Sequence, residues 1–271
     1  MPLERKTPPH QHVVMFSGGV GSWATAKRVV EQNGPDHVVL LFADTLMEDE
    51  GLYRFLEDAA NDVGVPVTRI AEGRDPWQVF FDGRFLGNSR IDPCSRVLKR
   101  EFMRKWLEEN CSPSNATIYL GIDFYEIHRI DKARPLWAPW QVRAPLAEDP
   151  PYMDKNEMLE ALQASGIEVP RLYKMGFAHN NCGGFCVKAG NGQFKQLLLT
   201  MPERYAYHEA KENSLRAHLG KDVSVMITRR REDLAPGQKK RPMTMTEFRQ
   251  RVEAGTDYTT AADNTCAACV I

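Results

Sequence analysis

The stretch Val13–Ser22, with the sequence Val-Val-Met-Phe-Ser-Gly-Gly-Val-Gly-Ser, decides the fold predicted for this chain of 271 residues. An apolar run typical of a buried strand leads into a glycine-rich turn, and a helical pattern starts at Val20. The glycines let several backbone N–H groups point at one spot, and the helix N-terminus adds about half a positive charge. The stretch therefore predicts a site for phosphate or pyrophosphate, with the Ser17 and Ser22 hydroxyls as further donors.

Short apolar strands alternate with helical patterns on the C-terminal side of this turn. The predicted strands cover residues 12–16, 37–42, 65–71 and 117–122. Among the predicted helices are those over 20–33, from 92 to about 110, over 154–165, and over 193–219 with a break at Met201-Pro202. This alternation predicts an α/β fold, with a parallel twisted sheet covered by helices on both faces, as in Rossmann-like proteins. In such sheets ligands bind beyond the carboxyl ends of the strands.

The chain divides into three predicted parts. An α/β nucleotide-binding domain covers 1–135, a smaller, mostly helical, cysteine-containing and basic region covers 136–254, and a flexible tail covers 255–271. The composition, with 42% hydrophobic and 26% charged residues, is that of a soluble globular protein. No apolar run approaches the roughly 20 residues that span a bilayer, so no membrane partner is expected.

The N-terminus lacks the apolar core of a signal peptide, so we expect a cytoplasmic protein. In that compartment the six cysteines are expected to be metal ligands, nucleophiles or redox pairs rather than structural disulfides.

The turn Ser17–Ser22 resembles the PP-loop, Ser-Gly-Gly-x-Asp-Ser, of the ATP pyrophosphatase (adenine nucleotide alpha-hydrolase) superfamily, although Gly21 stands where many members have Asp. That superfamily includes tRNA thiolation enzymes, phosphoadenosine phosphosulfate (PAPS) reductases and amide-forming ligases. The segment Cys94–Lys99 is similar to the Cys-Thr-x-x-Leu-Lys stretch of the PAPS-reductase-like branch. The resemblance implies a HUP/PP-loop type of fold and a loop that grips the pyrophosphate of ATP during adenylyl transfer.

Three features follow predicted strands and define a candidate nucleotide site: the glycine turn, Asp44 and the segment Gly121–Arg129. The resemblance places this last segment over the nucleotide, with Asp123, Glu126 and Arg129 as contacts to phosphate or Mg²⁺. An i,i+3 surface pair between Glu126 and Arg129 is the alternative. With ATP and Mg²⁺ as the expected ligands, the predicted nucleotide-binding residues are Ser17, Gly18, Gly19, Val20, Gly21, Ser22, Asp44, Gly121, Asp123, Glu126 and Arg129.

The sequence Cys182-Gly-Gly-Phe-Cys186 is the second motif that indicates a functional site. Its glycines allow a tight chain reversal that turns both sulfurs to one point. Cys94, in the first turn of a helix predicted to begin at Asp92-Pro93, is the best third thiol, since a helix N-terminus favours the thiolate. We predict a catalytic and metal-binding site of Cys94, Cys182 and Cys186.

Several occupants of this three-cysteine site stay open. The resemblance implies a [4Fe–4S] cluster whose open iron holds the incoming sulfur, as in one branch of the tRNA-thiolating enzymes. The alternatives are Zn²⁺ with His179 as a fourth ligand, metal-free persulfide chemistry, or simple burial of small side chains.

Two further features lie near the C-terminus. The pair Cys266 and Cys269 can exchange electrons through a disulfide, although the Glu-Cys-Gly-(Leu/Ile)-His motif of PAPS reductases is absent there. Residues 188–251 contain 14 Lys and Arg against 7 Asp and Glu, with clusters at Arg229–Arg231 and Lys239–Arg241. Such clusters either track a nucleic-acid backbone or form ordinary solvated surface.

These features lead to an ATP-dependent, adenylating sulfurtransferase with a three-cysteine site, acting on a nucleic acid base, as the first hypothesis. A PAPS or APS reductase that uses cysteine thiols is the second, and an adenylating amide or nitrile former with structural zinc is the third. A nucleotide-binding regulator that senses metal or redox state is the fourth. The expected partners are a nucleotide, a nucleic acid and a sulfur or electron donor protein, with oligomerisation left open.

Overall fold

The computed structural model describes residues 9–228 and 239–258. Within them, one sheet is formed by β1 (Gln11–Met15), β2 (Val38–Asp44), β3 (Val67–Ala71), β4 (Ala116–Tyr119) and β5 (Gln141–Arg143). All neighbouring strands of this sheet pair in parallel, in the order β3-β2-β1-β4-β5. The predicted α/β fold with a parallel sheet is confirmed, and its strand order is consistent with a Rossmann-like fold.

Apolar side chains of the central strand β1 extend from both faces of the sheet. Val14 packs into one core cluster together with helix residues such as Phe55, whereas Val13 and Met15 pack into a second cluster that includes Leu107. Successive side chains of a strand point to opposite faces, so a nearly continuous apolar strand requires cover on both sides. The helices supply that cover.

The helices alternate with the strands along the first part of the chain. Their bounds are α1 Val20–Asn33, α2 Glu50–Val63, α3 Pro76–Asp82, α4 Pro93–Ser95, α5 Phe102–Asn110, α6 Ile130–Trp137, α7 Pro145–Glu148, α8 Lys155–Ala164, α9 Arg171–Lys174, α10 Asn191–Thr200, α11 Pro202–Leu219 and α12 Met245–Glu253. A π-helical segment, Arg96–Glu101, joins α4 to α5, and 3₁₀ turns cover Phe124–Arg129 and Cys182–Gly184. Across the described ranges, no helix is both long enough and apolar enough to cross a membrane.

The C-terminal region packs against the sheet domain through α3. Trp77 and Phe80 of this helix share a core cluster with Phe185, Phe194 and Tyr205. A small antiparallel pair, β6 (Met226–Ile227) and β7 (Pro242–Met243), lies in the same region. The boundary predicted at 135 falls within α6, before β5, which still belongs to the large sheet. The Arg229–Arg231 cluster and the Cys266/Cys269 pair lie outside the described residues.

Candidate functional site

A cleft lies where the glycine turn meets the segment that follows β4. Strands β1 and β4 are neighbours in the sheet, although β2 and β3 come between them along the chain. The order in which successive strands are added to the sheet therefore reverses between β1 and β4. Ligands of open α/β sheets bind at such a switch point. We call this space of about 640 Å³ the glycine-loop cleft; it is lined by Ser17, Gly19, Val20, Gly21, Ser22, Gly121, Asp123, Glu126, Arg129, Lys155, Met158, Tyr173, His179, Asn180 and Asn181.

The predicted nucleotide-binding residues line this cleft, except for Gly18 and Asp44. Gly18 has a φ of +74°, and a Cβ there would lie 2.8 Å from Cγ of Leu52. Glycine at this position therefore shapes the turn from behind the cleft rather than from its surface.

Asp44 is fully buried and forms hydrogen bonds within the sheet domain instead of lining the cleft. Its carboxylate accepts hydrogen bonds from the Leu46 amide (2.8 Å), the Tyr53 hydroxyl (3.0 Å) and Nε of Arg69 (2.8 Å). The structure does not bring Asp44 to the cleft, because these bonds hold its carboxylate against β3 and α2.

The first turn of α1 opens into the cleft. The N-cap residue Gly19 has no side chain to cap this helix, the Val20 amide donates to the Tyr173 hydroxyl at 3.4 Å, and the Ser22 hydroxyl donates to the Gly19 carbonyl at 2.8 Å. The leading amides of a helix have no i−4 carbonyl partner, and the long bond from Val20 to a neutral hydroxyl leaves this first turn suited to an anion.

Two glycines let the β4 segment approach the turn. A Cβ on Gly121 would lie 2.9 Å from both the Gly21 carbonyl carbon and the Ser22 amide nitrogen, and a Cβ on Gly21 would lie 3.2 Å from the Gly121 oxygen. A side chain at Gly21, where the PP-loop pattern has Asp, would thus require the Gly121 carbonyl to shift by a few tenths of an ångström, which favours glycine there.

Charged side chains of both signs face this cleft. Arg129 is buried, and its Nη1 lies 2.5 Å from Glu126 Oε1, close enough for an ion pair but without hydrogen-bond geometry. Asp123 caps the 3₁₀ turn by accepting from the Glu126 amide at 3.1 Å. Burial, followed by the nearby Glu126 carboxylate, raises the pKa of Asp123. A hard cation such as Mg²⁺ would relieve this repulsion.

Lys155 supplies a second cation that sequence reasoning missed. Its ammonium donates to the Ala178 carbonyl and lies 4.6 Å from the centre of the Tyr173 ring. Burial lowers the pKa of Lys155, while the carboxylates of Glu126 and Asp123 oppose that shift. The sequence predicted the helix that Lys155 begins, but no local pattern indicates that it packs beside the glycine turn.

All three predicted cysteines line a second space, which we call the cysteine pocket. Cys94 lies in α4, as predicted, while Cys182 and Cys186 enter from the loop that precedes α10. Cys182 has a φ of +52°, which is uncommon for a residue with a side chain and marks a constrained loop. The pocket is lined by Thr45, Met47, Pro76, Asp92, Cys94, Ser95, Lys99, Cys182, Phe185, Cys186 and Val187.

A buried carboxylate ties the walls of this pocket together. Glu48 accepts hydrogen bonds from the Thr45 hydroxyl (2.9 Å) and from the Cys182 amide, and it lies 3.7 Å from the Lys99 ammonium. Lys99 belongs to the π-helical segment that follows Cys94. Glu48 thereby links the two cysteine-bearing segments to the end of β2.

Phe185 anchors the cysteine loop in the C-terminal core. Its ring stacks on His208 with centroids 3.8 Å apart and an angle of 8°, and Trp77 Nε1 donates to His208 Nδ1 at 3.0 Å. Burial, together with the nearby Arg204 charge, holds the pKa of His208 well below its ordinary value. His208 is therefore a neutral core residue.

One loop serves both spaces. His179, Asn180 and Asn181 line the glycine-loop cleft, and the next residue, Cys182, lines the cysteine pocket. His179 therefore faces the cleft and not the pocket in which the zinc alternative would need it. Arg204 further fixes the pocket wall by donating to the Met47 carbonyl at 2.5 Å.

The donor set of the pocket suits a thiophilic metal, but the described thiols are not gathered around a single ion. Cys94, Cys182 and Cys186 are present as thiols. Within residues 9–228 and 239–258, no group of three or more His, Cys, Asp or Glu is arranged to hold a metal ion. A single Zn²⁺ needs every sulfur about 2.3 Å away, whereas a cluster takes each cysteine on a different iron. The metal assignment stays a prediction.

A basic groove of about 1140 Å³ lies between the loop that precedes α4 and the β6–β7 region. Among the described residues that line it, the cations are Arg84, Arg90, Lys221, Lys240 and Arg241, of which Arg241 is paired with Glu247 at 2.6 Å, and the carboxylate is that of Asp222. Asp222 is already paired with Arg216 at 2.9 Å. The groove therefore has an excess of positive charge. One of its cations, Arg90, precedes Cys94 by four residues along the chain.

Neither the protein-family models nor the curated proteins include a match to this chain. The PP-loop resemblance accordingly stays a prediction made from the motifs.

Proposed function

We propose that this protein is an adenylating sulfurtransferase of the HUP/PP-loop type, which uses ATP and Mg²⁺ to activate an acceptor and cysteine thiols to deliver sulfur. The observation that carries the proposal is the loop from His179 to Cys186, which lines the glycine-loop cleft and the cysteine pocket in succession. Activation and sulfur delivery must act on one acceptor, so they need two adjoining spaces.

The cleft would hold the phosphates of ATP. The first turn of α1 and the ammonium of Lys155 would hold the β and γ phosphates, and Asp123 with Glu126 would hold Mg²⁺. An acceptor oxygen attacks the α-phosphorus, the bond to the bridging oxygen of the β-phosphate breaks, and pyrophosphate leaves. Positioning and charge neutralisation supply the catalysis in this step.

The cysteine pocket would then supply the sulfur nucleophile, provided by a sulfide or persulfide donor. The sulfur attacks the activated carbon, the carbon–oxygen bond breaks, and AMP leaves with the electron pair. Hydrosulfide gives the product directly on loss of a proton. From a cysteine persulfide, a second pocket thiol then attacks the cysteine sulfur, the S–S bond breaks, the product thiolate leaves, and the cysteine disulfide that forms is reduced by a thiol electron donor. A three-cysteine cluster, when bound by Cys94, Cys182 and Cys186, supplies an open iron with affinity for sulfur. Met47, Phe185 and Val187 give the pocket apolar walls beside the thiols, of which Cys186 is buried and Cys94 and Cys182 are partly exposed, and reduced thiols suit the cytoplasm.

The basic groove supports a nucleic acid as the acceptor. Cations in a groove bind a phosphate backbone without reading its sequence. The loop 84–92 joins this groove to Cys94, so a strand bound there would present a base near the thiols.

The first test is anaerobic purification followed by metal, iron and sulfide analysis, then a pyrophosphate-release assay with bulk tRNA. Iron and sulfide that are lost in Cys94→Ala, together with RNA-stimulated pyrophosphate release, are expected. Ser17→Ala and Gly18→Val should abolish nucleotide binding, whereas Ser214→Ala, which removes an exposed hydroxyl bonded to its own helix, should not.

Contrary results identify the other hypotheses. Sulfite release from PAPS without ATP would establish the reductase and overturn the transferase. Full activity of Cys182→Ala would show that the reaction does not use the three-cysteine site, and it would overturn the sulfurtransferase proposal.

A further inference from the structure

Two exposed aromatic rings pack against each other, in a tilted arrangement, beside the glycine-loop cleft. The rings of Phe124 and Tyr152 have centroids 4.6 Å apart and an angle of 35°, although 43% of Phe124 and 48% of Tyr152 is exposed. Tyr125, 73% exposed, adds a third ring 6.1 Å from Phe124. Contiguous apolar surface of this kind on a folded chain marks a binding site more often than scattered single residues do.

These rings are continuous with the cleft through their chain neighbours. Phe124 lies between Asp123 and Glu126, which both line the cleft, and Tyr152 precedes the cleft residue Lys155 by three positions. The 3₁₀ turn that carries Phe124 is fixed by its Asp123 cap. The aromatic surface is therefore held at the rim, next to the cations that would hold phosphate.

A ligand that fits both features carries a flat ring joined to phosphates. We propose that Phe124 and Tyr152 form a base-binding platform, on which the base of the nucleotide stacks while its phosphates occupy the cleft. This inference rests on the function proposed above. Stacking of a base on an aromatic ring tolerates any base, because every base has a π face. The platform would add affinity, while the phosphates fix position.

The test compares ATP with inorganic tripolyphosphate, which has the phosphates but no base. Titration calorimetry with Mg²⁺ measures both ligands on the wild type and on Phe124→Ala, Tyr152→Ala and the conservative Phe124→Tyr. Tyr207→Ala, which removes an exposed ring from α11, is the matched control. Because Phe124 and Tyr152 are exposed, their removal should leave the thermal midpoint nearly unchanged.

We expect each alanine variant to weaken ATP by about fivefold to a hundredfold and tripolyphosphate by less than about twofold. Phe124→Tyr should retain wild-type affinity for ATP. Unchanged ATP affinity in both alanine variants overturns the platform, and so does an equal loss of ATP and tripolyphosphate, which would give the rings a structural role only.

Two other results are distinguishable. If the alanine variants weaken a single-stranded RNA without a 5′-triphosphate while ATP binding is unchanged, the rings bind the acceptor and the assignment to the nucleotide is overturned. If the wild type binds neither ATP nor tripolyphosphate, the phosphate role of the cleft fails first and the platform falls with it.

Discussion

The side-chain amide of Asn180 donates a 2.9 Å hydrogen bond to the backbone carbonyl of Gly18. This bond fastens the loop that carries two of the cysteines to the turn that follows β1. Asn180 is 1% exposed, and its Oδ1 has no hydrogen-bond partner among the residues that the structure describes. A buried acceptor in that state, on the wall of the cleft, is suited to a hydroxyl or an amine of a ligand.

Asn180→Ala should therefore lower both the stability of the fold and the affinity for ATP. Loss of the bond should lower the free energy of unfolding by about 1–3 kcal/mol and should release the loop, so that ATP affinity falls and the thiols react faster with a disulfide reagent. Chemical denaturation, calorimetry and thiol titration measure the three effects. Asn33→Ala removes a bond of the same length within one helix, from Nδ2 of the exposed Asn33 to the Val29 carbonyl at 2.9 Å, and should leave ATP affinity and thiol reactivity unchanged. An Asn180→Ala protein with normal ATP affinity would show that the loops are not coupled.

Gly121→Ala should abolish ATP binding. The new Cβ would meet the backbone of Gly21 and Ser22 at 2.9 Å, and backbone cannot move aside as a side chain can. Gly220→Ala introduces strain at a φ of +61°, with no described atom within 4 Å of the new Cβ. This control should lose about 1 kcal/mol of stability and keep its ATP affinity. Equal ATP affinities in the two variants would contradict the close approach of the two glycines.

Glu48 and Lys99 should be strongly coupled in stability. Both side chains are buried, so removing one partner takes the opposite charge away from a buried ion, a loss of about 3–5 kcal/mol. We expect Glu48→Gln and Lys99→Met to be individually severe and the double variant to be milder than their sum, with a coupling above about 1 kcal/mol in urea denaturation. The exposed pair Lys105 and Glu109, 3.9 Å apart, should give less than about 0.5 kcal/mol. Additive effects at Glu48 and Lys99 would remove their assigned role in joining the pocket walls.

Stability should fall as the pH drops below 6.5 because of His208. Its folded-state pKa is depressed by burial and by Arg204, so the unfolded chain, with a pKa near 6.5, takes up the proton first. The free energy of unfolding then decreases with falling pH by up to about 1.4 kcal/mol per pH unit. Urea denaturation of wild type and His208→Gln between pH 7.5 and 5 checks this, with His128→Gln at an exposed site as the control. A slope that His208→Gln does not change would assign the pH dependence to other groups.

Local patterns in the sequence predicted most of the sheet and helices. The helix over Val20–Asn33 has the bounds that were predicted, and the helix break at Met201-Pro202 is confirmed, because Pro202 starts α11. Strand β5 was missed, since its residues Gln141–Arg143 have no apolar run of their own. The helix predicted from Asp92 to about Asn110 contains the π-helical segment beside Cys94, which no residue preference marks.

The sequence by itself determined the glycine turn, the alternation of strands and helices, and the short-range grouping of Cys182 with Cys186. These depend on the backbone freedom of glycine and on the period of apolar residues, which act over a few positions. Cys94 was also predicted as the third thiol, and it lines the same pocket as the other two. Only the tertiary structure decided that Lys155 and Asn180 reach the cleft and that the Asp44 carboxylate is bonded to Arg69 instead. Those contacts follow from how the helices close over the sheet, and packing of that kind depends on residues far apart along the chain.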